Sequence, residues 1–231
     1  MSTSAVTAMS ERFRRVPTPT IFDVMDHLGL GATTCLSHDI SSLRSGARLA
    51  GPAHTLRWVR DPRPRSEWNP AELPKIADYF TAIEDGDVVV VHGGDDKATG
   101  HWGEMMSTMA WRAGAVGAVI DGGIRDSEGV MEMEGFETFA RYTSPIEGAS
   151  RLRVHGAGVP LLVDGALGSR VLVRPGDWIV ADADGVLVIP AERTQEILEA
   201  AERLEELEEE TRRALRAGGD FNEIYAKFGR G

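Results

Sequence analysis

The sequence predicts a protein of the α/β class, and three stretches carry that prediction. A buried strand, a helix and a second buried strand follow one another between residues 85 and 121. Short apolar strands joined by Gly, Asp and Pro turns lie between residues 159 and 190, and an acidic helix covers residues 192–217. Because a strand–helix–strand unit crosses over one face of a sheet, its two strands are expected to be parallel.

The N-terminal part is expected to add one helix and one strand. Thr20 is a candidate helix cap and Gly29 a candidate stop, which predicts a helix over roughly residues 21–28. Residues 46–59 alternate small or apolar side chains with polar ones, which predicts a strand broken at Gly51-Pro52.

Two further helices are predicted around the buried strands. One lies between residues 71 and 83 and rests on the helical spacing of four residues: Leu73, Ile76, Ala77 and Phe80. The other covers residues 102–112 and ends at Gly114. The loops that follow the two parallel strands, residues 92–103 and 121–126, then lie at one edge of the sheet.

The acidic C-terminal helix has an apolar stripe. Its members recur every three or four residues: Ile197, Ala201, Leu204, Thr211 and Leu215. A helix of this length measures about 37 Å, so it either packs along its own domain or reaches a neighbouring subunit. We predict one domain, residues 1–231, whose helix over residues 192–217 contacts a neighbouring subunit.

The composition narrows the classes of function. Lys and Arg number 25 against 36 Asp and Glu, a formal net charge of −11, which argues against a nucleic-acid partner. Cys35, the single cysteine, cannot form an internal disulfide, and no apolar run is long enough to cross a bilayer. These observations predict a cytoplasmic protein without membrane association whose partner is a small molecule or another protein.

The candidate chemistry lies in residues 121–126, DGGIRD, directly after a buried strand. Ligands bind at the carboxyl ends of strands in α/β sheets, where loops can present side chains without disturbing the packing. Asp126 is a hard oxygen ligand that suits Mg²⁺ or Mn²⁺, and Arg125 can hold a carboxylate or an enolate oxygen. The alternative is a surface turn in which Asp121 bonds backbone amides and Arg125 pairs with Asp126.

A second candidate is GHWGEMM, residues 100–106, where a glycine-bearing loop enters a helix. The free backbone N–H groups near Glu104, Met105 and Met106 form a candidate site for the carboxylate of a keto acid. Glu104 could hold a metal-bound water, or it could simply be a favourable acidic residue in the first turn of the helix.

Together these segments resemble the RraA-like family. The resemblance rests on WGEMMSTMAWRAGAVGAVIDGGIRD, followed by PGDWIVADADGVLVIP and the acidic terminal helix. The family includes class II 4-hydroxy-4-methyl-2-oxoglutarate aldolases with oxaloacetate decarboxylase activity, and also non-catalytic regulators of ribonuclease E activity. The resemblance implies a compact β/β/α fold of the swivelling-domain type, a homotrimer or homohexamer, and active sites between subunits.

The resemblance also implies roles for single residues. Asp126 matches the metal-ligating aspartate and Arg125 the substrate arginine. Glu104 matches an acid that binds metal-coordinated water, and residues 103–106, Gly103 to Met106, match the loop whose amides hold the pyruvate carboxylate. A further acid is expected from a neighbour's terminal helix, with Glu208 as the preferred match. Its rivals are Glu205, Glu206, Glu209 and Glu210.

The reaction implied is divalent-metal-dependent and releases pyruvate through a metal-bound enolate. It is a retro-aldol cleavage of substrates like 4-hydroxy-4-methyl-2-oxoglutarate, a decarboxylation of oxaloacetate, or both. Two alternatives stay open. One is a non-catalytic regulator of ribonuclease E activity, and the other is a metal-dependent sugar-acid dehydratase or hydratase.

The segment HGGDDKATGHWGE departs from the short small-residue loop expected in the family, and it borders the candidate anion site. Lys97, beside Asp95 and Asp96, is disfavoured as a Schiff-base amine because such a lysine tends to stay protonated. His101 either contacts substrate or acts as an acid/base, or it packs against the loop together with Trp102. The remaining histidines show no metal-ligand spacing and are interpreted as structural: His27, His38, His54, His92 and His155.

Overall fold

The computed structural model describes residues 2–68, 76–168 and 170–228. These residues form eleven strands and six α-helices. The strands are β1 Ser41–Ser42, β2 Leu49–Arg60, β3 Val88–His92, β4 Gly100–Trp102, β5 Gly117–Ile124, β6 Glu137–Thr143, β7 Leu152–Ala157, β8 Leu161–Asp164, β9 Arg170–Val173, β10 Trp178–Asp182 and β11 Gly185–Ile189. The helices are α1 Thr3–Phe13, α2 Thr18–His27, α3 Glu104–Arg112, α4 Ser127–Met131, α5 Thr194–Arg216 and α6 Phe221–Phe228.

Nine of these strands form one mixed sheet. Its main path is β1-β6-β5-β3-β2-β10-β11, with β4 paired to β5 and β7 paired to β2. The long strand β2 runs parallel to β3 and antiparallel to β10 and β7. Strands β8 and β9 form a separate antiparallel hairpin. The α/β class predicted from the sequence is therefore confirmed.

The predicted strand–helix–strand unit is β3, α3 and β5. Its two strands are parallel, with His92 opposite Asp121 at their carboxyl ends. Helix α3 begins at Glu104, two residues later than predicted, because residues 100–102 pair with β5 as strand β4. Strand β5 runs on to Ile124, so Asp121 lies within a strand and not in a loop.

Apolar side chains fill both faces of the parallel strands. Since side chains alternate along a strand, Val89 and Val91 contribute to a cluster that includes Ala110 of α3. Val88 and Val90 belong to another cluster, which is completed by residues of the β8–β9 hairpin. Strands β3 and β5 are thus buried on both sides, which holds their carboxyl ends in fixed positions.

Helices α1, α2 and α5 pack together against β10 and β11. The prediction of a C-terminal helix is confirmed by α5, whose Ile197, Leu198 and Ala201 are fully buried in this cluster. Arg12 of α1 forms a 2.6 Å ion pair with Glu202 of α5. The first half of α5 therefore packs along its own chain, and contact with a neighbouring subunit stays a prediction.

Several local predictions were wrong. Helix α2 begins after Pro17, so Thr20 lies inside the helix and does not cap it, although Gly29 follows its end as predicted. Helix α1 was not predicted at all. The predicted helix over residues 71–83 lies partly outside the described residues. Its described part, residues 76–83, contains the short 3₁₀ turn Ile76–Tyr79 and no α-helix. None of the helices described here has the length and apolar character needed to cross a membrane.

Strand β2 passes through Gly51-Pro52 without the predicted break. Pro52 lies opposite Trp178 of β10, and the irregularity in β2 falls later, between Arg57 and Trp58. Strand β2 can take this course because Gly51 has no Cβ atom. A Cβ atom at this position would collide with the carbonyl oxygen of Gly86.

We expect Gly51→Ala to lower the free energy of unfolding by about 1–3 kcal/mol, because the colliding atom belongs to the backbone and cannot rotate away. Gly156→Ala is the control, since its added Cβ would meet a Val159 methyl group at 3.0 Å, which can shift. Urea unfolding measures both. Equal losses in the two variants would contradict the role given to Gly51.

Candidate functional site

The end of β5 delivers two charged residues to the edge of the sheet. The backbone N–H of Arg125 donates to the carbonyl of Trp102 at 2.8 Å, which fixes the chain as it leaves the strand. The next residue, Asp126, has φ 54° and ψ 38° and directly precedes α4. Among the described residues it alone combines a side chain with a positive φ. Aspartate is one of the few residues that tolerate this left-handed conformation.

Two glycines allow the carboxylates of Asp126 and Glu104 to lie against the backbone of a neighbouring segment. A Cβ atom on Gly103 would lie 2.7 Å from Oδ2 of Asp126, and one on Gly129 would lie 2.6 Å from Oε2 of Glu104. The carboxylate of Asp126 therefore rests on the residue before α3, while that of Glu104 rests on α4. This reciprocal packing places the starts of the two helices side by side.

A groove of about 570 Å³ opens between these helix starts. Its walls include the predicted residues Glu104, Arg125 and Asp126, together with Glu128 of α4 and Ser144 beyond β6. The structure therefore brings three of the predicted site residues together. Glu128 was missed by the sequence analysis, although its place two residues after Asp126 could have indicated it.

The side chain of Arg125 lies across Gly100 of β4, where a Cβ atom would collide with Cγ of the arginine. Its Nε is buried without a hydrogen-bond partner. Arg125 forms no ion pair with Asp126 in the described parts of the chain. The surface-turn alternative is therefore wrong, and the positive charge of Arg125 is available to a ligand.

Helix α3 begins without a side-chain cap. Gly103 precedes the helix, and the first helical hydrogen bond runs from the N–H of Ser107 to its carbonyl at 2.9 Å. The N–H groups of Glu104, Met105 and Met106 come before that bond, as the predicted anion site requires. Met105 is 80% exposed, so this helix start lies at the surface. Anion binding here stays a prediction.

Glu208 does not reach this groove within its own chain. Its carboxylate accepts a 3.2 Å hydrogen bond from Thr20 and pairs with Arg212 at 3.4 Å. It lines a different groove, between α2, α5 and α6. Its rival Glu205 also bonds Thr20 and Arg212. A catalytic role for either glutamate would require a neighbouring subunit and remains a prediction.

His101 packs inside the segment of residues 92–103 and does not line the groove. Its Nδ1 accepts the N–H of Gly123 at 3.0 Å, and its Nε2 lies 3.1 Å from the carbonyl oxygen of Gly93. Burial lowers the pKa of His101, more than the nearby Asp96 raises it. Packing against the loop is therefore the expectation for His101 that the structure supports, and not a substrate contact or an acid/base role in this groove.

A buried charge cluster was missed because Asp121 was placed in a loop. The carboxylate of Asp121 bonds Nδ1 of His92 at 2.6 Å and Nε of Arg141, and Arg141 also reaches Asp39 at 3.1 Å. Burial alone would raise the pKa of Asp121, but the hydrogen bonds and charges of His92 and Arg141 lower it overall. Asp121 is thus a buried, ionised residue that holds three strands together.

The groove fits a hard divalent cation in the chemistry of its donors. Glu104, Asp126 and Glu128 all offer carboxylate oxygens, the ligands that Mg²⁺ and Mn²⁺ prefer. The described residues contain no group of three or more His, Cys, Asp or Glu placed to hold a metal. A cation at Asp126 would therefore complete its coordination with water or substrate oxygens, as magnesium commonly does.

A family model described as RraA-like, Aldolase/RraA, matches residues 18–188. The chain belongs to the RraA-like family. A relative from Halalkalibacterium halodurans, named "Putative 4-hydroxy-4-methyl-2-oxoglutarate aldolase", is 31% identical over 204 residues, which are 88% of this chain and 87% of the relative. A Burkholderia mallei protein with the same name is 32% identical over 166 residues, or 71% of this chain and 88% of that protein.

Solved structures support the same RraA-like assignment. The Streptomyces coelicolor protein RraAS2 has a TM-score of 0.74 and 29% identity, with 89% of this chain and 96% of that chain covered. It is described as an unusual member of the RNase ES inhibitor RraA protein family. The predicted family and fold class are confirmed. The names of the relatives support a lyase, whereas the solved structure is named as a member of an RNase ES inhibitor family.

We expect Arg141→Met to lower the free energy of unfolding at pH 7 by about 3 kcal/mol, because it leaves the buried charge of Asp121 with His92 alone. The folded-state pKa of Asp121 is lowered, so the stability linked to its charge is present above the unfolded-state pKa and lost as pH falls below about 4. The deficit of the variant should therefore shrink in acid.

Denaturant unfolding from pH 3 to pH 8 measures that deficit. The control is Asp121→Asn in the Arg141→Met background, which removes the unpaired charge and should recover part of the loss. A deficit that stays constant across this pH range would show that Arg141 acts through packing and not through its charge.

Proposed function

We propose that this RraA-like protein is a divalent-metal-dependent lyase that breaks a carbon–carbon bond next to an α-keto acid. The observation that carries the proposal is the groove shared by Glu104, Arg125 and Asp126. The aldolase names of the relatives from Halalkalibacterium halodurans and Burkholderia mallei support it. The proposed substrates are compounds like 4-hydroxy-4-methyl-2-oxoglutarate, cleaved by a retro-aldol reaction, and oxaloacetate, which is decarboxylated.

In this proposal Asp126 holds Mg²⁺ or Mn²⁺ directly, and Glu104 contacts a water molecule of the cation. When bound, such a cation polarises the keto group and lowers the pKa of its bound water. The left-handed backbone of Asp126 supports this role. It turns the residue out of the sheet at the point where β5 ends, and the side chain is exposed to solvent.

The start of α3 would orient the substrate. Its unbonded N–H groups, at Glu104 to Met106, can donate to the carboxylate of the keto acid, and the helix dipole favours that negative charge. Arg125 reaches the same groove from the end of β5. Its guanidinium supplies a fixed positive charge for the oxygen on which negative charge develops.

Both proposed reactions break the bond between C3 and C4 of the keto acid. The electron pair of that bond moves to C3 and is delocalised onto the C2 oxygen, which gives pyruvate enolate. In the retro-aldol reaction a hydroxyl proton must also leave, and Glu104 is the groove carboxylate that we assign to receive it, directly or through water. In the decarboxylation, CO₂ departs, and in both cases C3 is finally protonated.

We also propose that the protein works in the cytoplasm as a homotrimer or homohexamer. The exposed part of α5 would then bring Glu208, or one of its rivals, to the groove of a neighbouring subunit. Exposed apolar side chains in the last turn of α5 and the first turn of α6 support such a contact. Leu215 is 37% exposed and Phe221 61% exposed.

The likeness to the Streptomyces coelicolor protein supports a second candidate function. The protein would be a non-catalytic regulator that binds an RNA-processing enzyme. This candidate predicts no magnesium-stimulated pyruvate release from any α-keto acid, together with capture of such an enzyme in pull-down experiments.

We expect Asp126→Asn to abolish magnesium-stimulated pyruvate release from oxaloacetate and from 4-hydroxy-4-methyl-2-oxoglutarate. The variant loses the charge that holds the cation, whereas asparagine tolerates the same left-handed backbone, so folding should be preserved. A coupled lactate dehydrogenase assay with and without Mg²⁺ measures the release. Glu132→Gln is the matched control, since Glu132 lies at the end of α4 and is exposed. An unchanged kcat/KM in Asp126→Asn would refute the assignment.

We expect Arg125→Lys to lower kcat/KM by about 100-fold or more. Lysine keeps a positive charge but loses the planar donor fork, and the loss of one donor to a developing oxyanion typically has an effect of about this size. The loss should appear in kcat as well as in KM, because the interaction strengthens in the transition state. A rise in KM alone would mean that Arg125 only binds substrate.

A further inference from the structure

The ring of His101 is buried in a slot that two glycines leave open. His101 is 3% exposed. A Cβ atom on Gly93 would lie 2.6 Å from its Nε2, and one on Gly122 would lie 2.6 Å from its Nδ1. Neither position can therefore carry a side chain while the ring is in place. The slot lies between the residue that follows β3 and the buried strand β5.

The hydrogen bonds of the ring fix the position of its proton. A backbone N–H can only donate, so Nδ1 of His101 is the acceptor in its 3.0 Å bond with the N–H of Gly123. The proton of the neutral ring is then on Nε2, which donates to the carbonyl of Gly93 at 3.1 Å. Burial lowers the pKa of His101, which favours the neutral ring. The charges that oppose this shift are those of Asp96, 3.5 Å from Nε2, and Asp121.

His101 is the middle residue of β4 and fastens this strand where its pairing is irregular. The register with β5 shifts between Gly100 and Trp102, the residues on either side of His101. At this shift the side chain of His101, and not the backbone of β4, accepts the N–H of Gly123. A strand of three residues has few backbone bonds of its own. Loss of the imidazole would therefore loosen β4 and leave a buried N–H without a partner.

Arg125 rests on the strand that His101 fastens. A Cβ atom on Gly100 would collide with Cγ of Arg125, so the stem of the arginine lies directly on the backbone of β4. The N–H of Arg125 also bonds the carbonyl of Trp102 at 2.8 Å. Because Nε of Arg125 has no hydrogen-bond partner among the described residues, the direction of its guanidinium depends on this packing against β4.

We propose that His101 is a positioning residue of the lyase site. Its Nδ1 holds the N–H of Gly123 and so fixes β4, and β4 in turn fixes the guanidinium of Arg125 at the edge of the groove. The proposal rests on the proposed function, in which Arg125 stabilises the charge that develops on the substrate. His101 acts through Arg125 and does not line the groove itself.

The loop that leads into β4 is held by separate bonds. Asp96 accepts the N–H and the hydroxyl of Thr99 at 2.9 and 2.7 Å. The N–H of Gly100 donates to the carbonyl of Ile146 at 2.9 Å. These bonds fix the chain where it enters β4, whereas His101 fixes the middle of the strand. Loss of the His101 bond is therefore expected to shift β4 locally and to leave the fold intact.

The test replaces the two ring nitrogens one at a time. In His101→Asn, Oδ1 can take the place of Nδ1 and accept the N–H of Gly123. In His101→Gln, the amide can reach the carbonyl of Gly93 as Nε2 does, but it leaves Gly123 without an acceptor. We expect His101→Gln to lower kcat for pyruvate release from oxaloacetate about 10- to 100-fold with little change in KM, because a misplaced Arg125 fails to stabilise the transition state. His101→Asn should recover most of this loss.

A double-mutant cycle separates positioning from a general loss of stability. If His101 acts through Arg125, His101→Gln should lower kcat/KM much less in the Arg125→Lys background than in the wild type. Additive losses would overturn the proposal. The matched control is His54→Gln, since His54 is also buried and its Nε2 lies 2.9 Å from the carbonyl oxygen of Tyr79, outside the groove. Its kcat should equal that of the wild type.

An NMR measurement on the ligand-free protein does not depend on turnover. The Nε–H of Arg125 is buried, and its resonance in a ¹⁵N–¹H correlation spectrum is assigned by its absence from Arg125→Lys. We expect this resonance to shift in His101→Gln and to keep its position in His101→Asn. An unchanged resonance in His101→Gln, equal shifts in both variants, or equal kcat values for both variants would overturn the proposal.

The outcomes distinguish this proposal from the proposed lyase activity. If the wild type releases pyruvate while His101→Gln keeps the wild-type kcat and the wild-type Arg125 resonance, only the role of His101 fails. If the resonance responds as expected but Mg²⁺ stimulates no pyruvate release by the wild type, the lyase activity fails and the positioning of Arg125 by His101 stands.

Discussion

The site depends on the close approach of two backbone segments, the end of β5 and the start of α3. The N–H of Arg125 bonds the carbonyl of Trp102 at 2.8 Å, and the Asp126 carboxylate rests on Gly103. A side chain on that glycine would displace the Asp126 carboxylate, because its Cβ atom would lie 2.7 Å from Oδ2. Because β5 is buried along its whole length, its last residues are held by the core, and the charges that follow are fixed with it.

Much of this could be predicted from local sequence. A run of small and apolar residues followed by charged ones marks a buried strand with a functional end, so Arg125 and Asp126 were placed correctly at the sheet edge. Glu104 joined them because the crossover helix of a parallel unit must begin at that same edge. The three residues meet in one groove because of the topology of the sheet. The order of strand, helix and strand in the sequence already implied that topology.

Other features depend on pairing between distant segments, and the sequence did not reveal them. Asp121 looked like the first residue of a loop, yet the glycines after it let β5 continue between β4 and β6. Its partner Arg141 is 20 residues away in a mixed polar strand that shows no clear alternation. The role of Glu208 depends on contacts between chains, so it stays a prediction.

The central claim is that one cation and one keto acid meet at the end of β5. Crystals soaked with Mn²⁺ and pyruvate, and measured at the manganese absorption edge, test it most directly. The account predicts an anomalous peak about 2 Å from the Asp126 carboxylate, with pyruvate between that peak, Arg125 and the first N–H groups of α3. Manganese bound elsewhere, with pyruvate absent from this groove, would contradict the account.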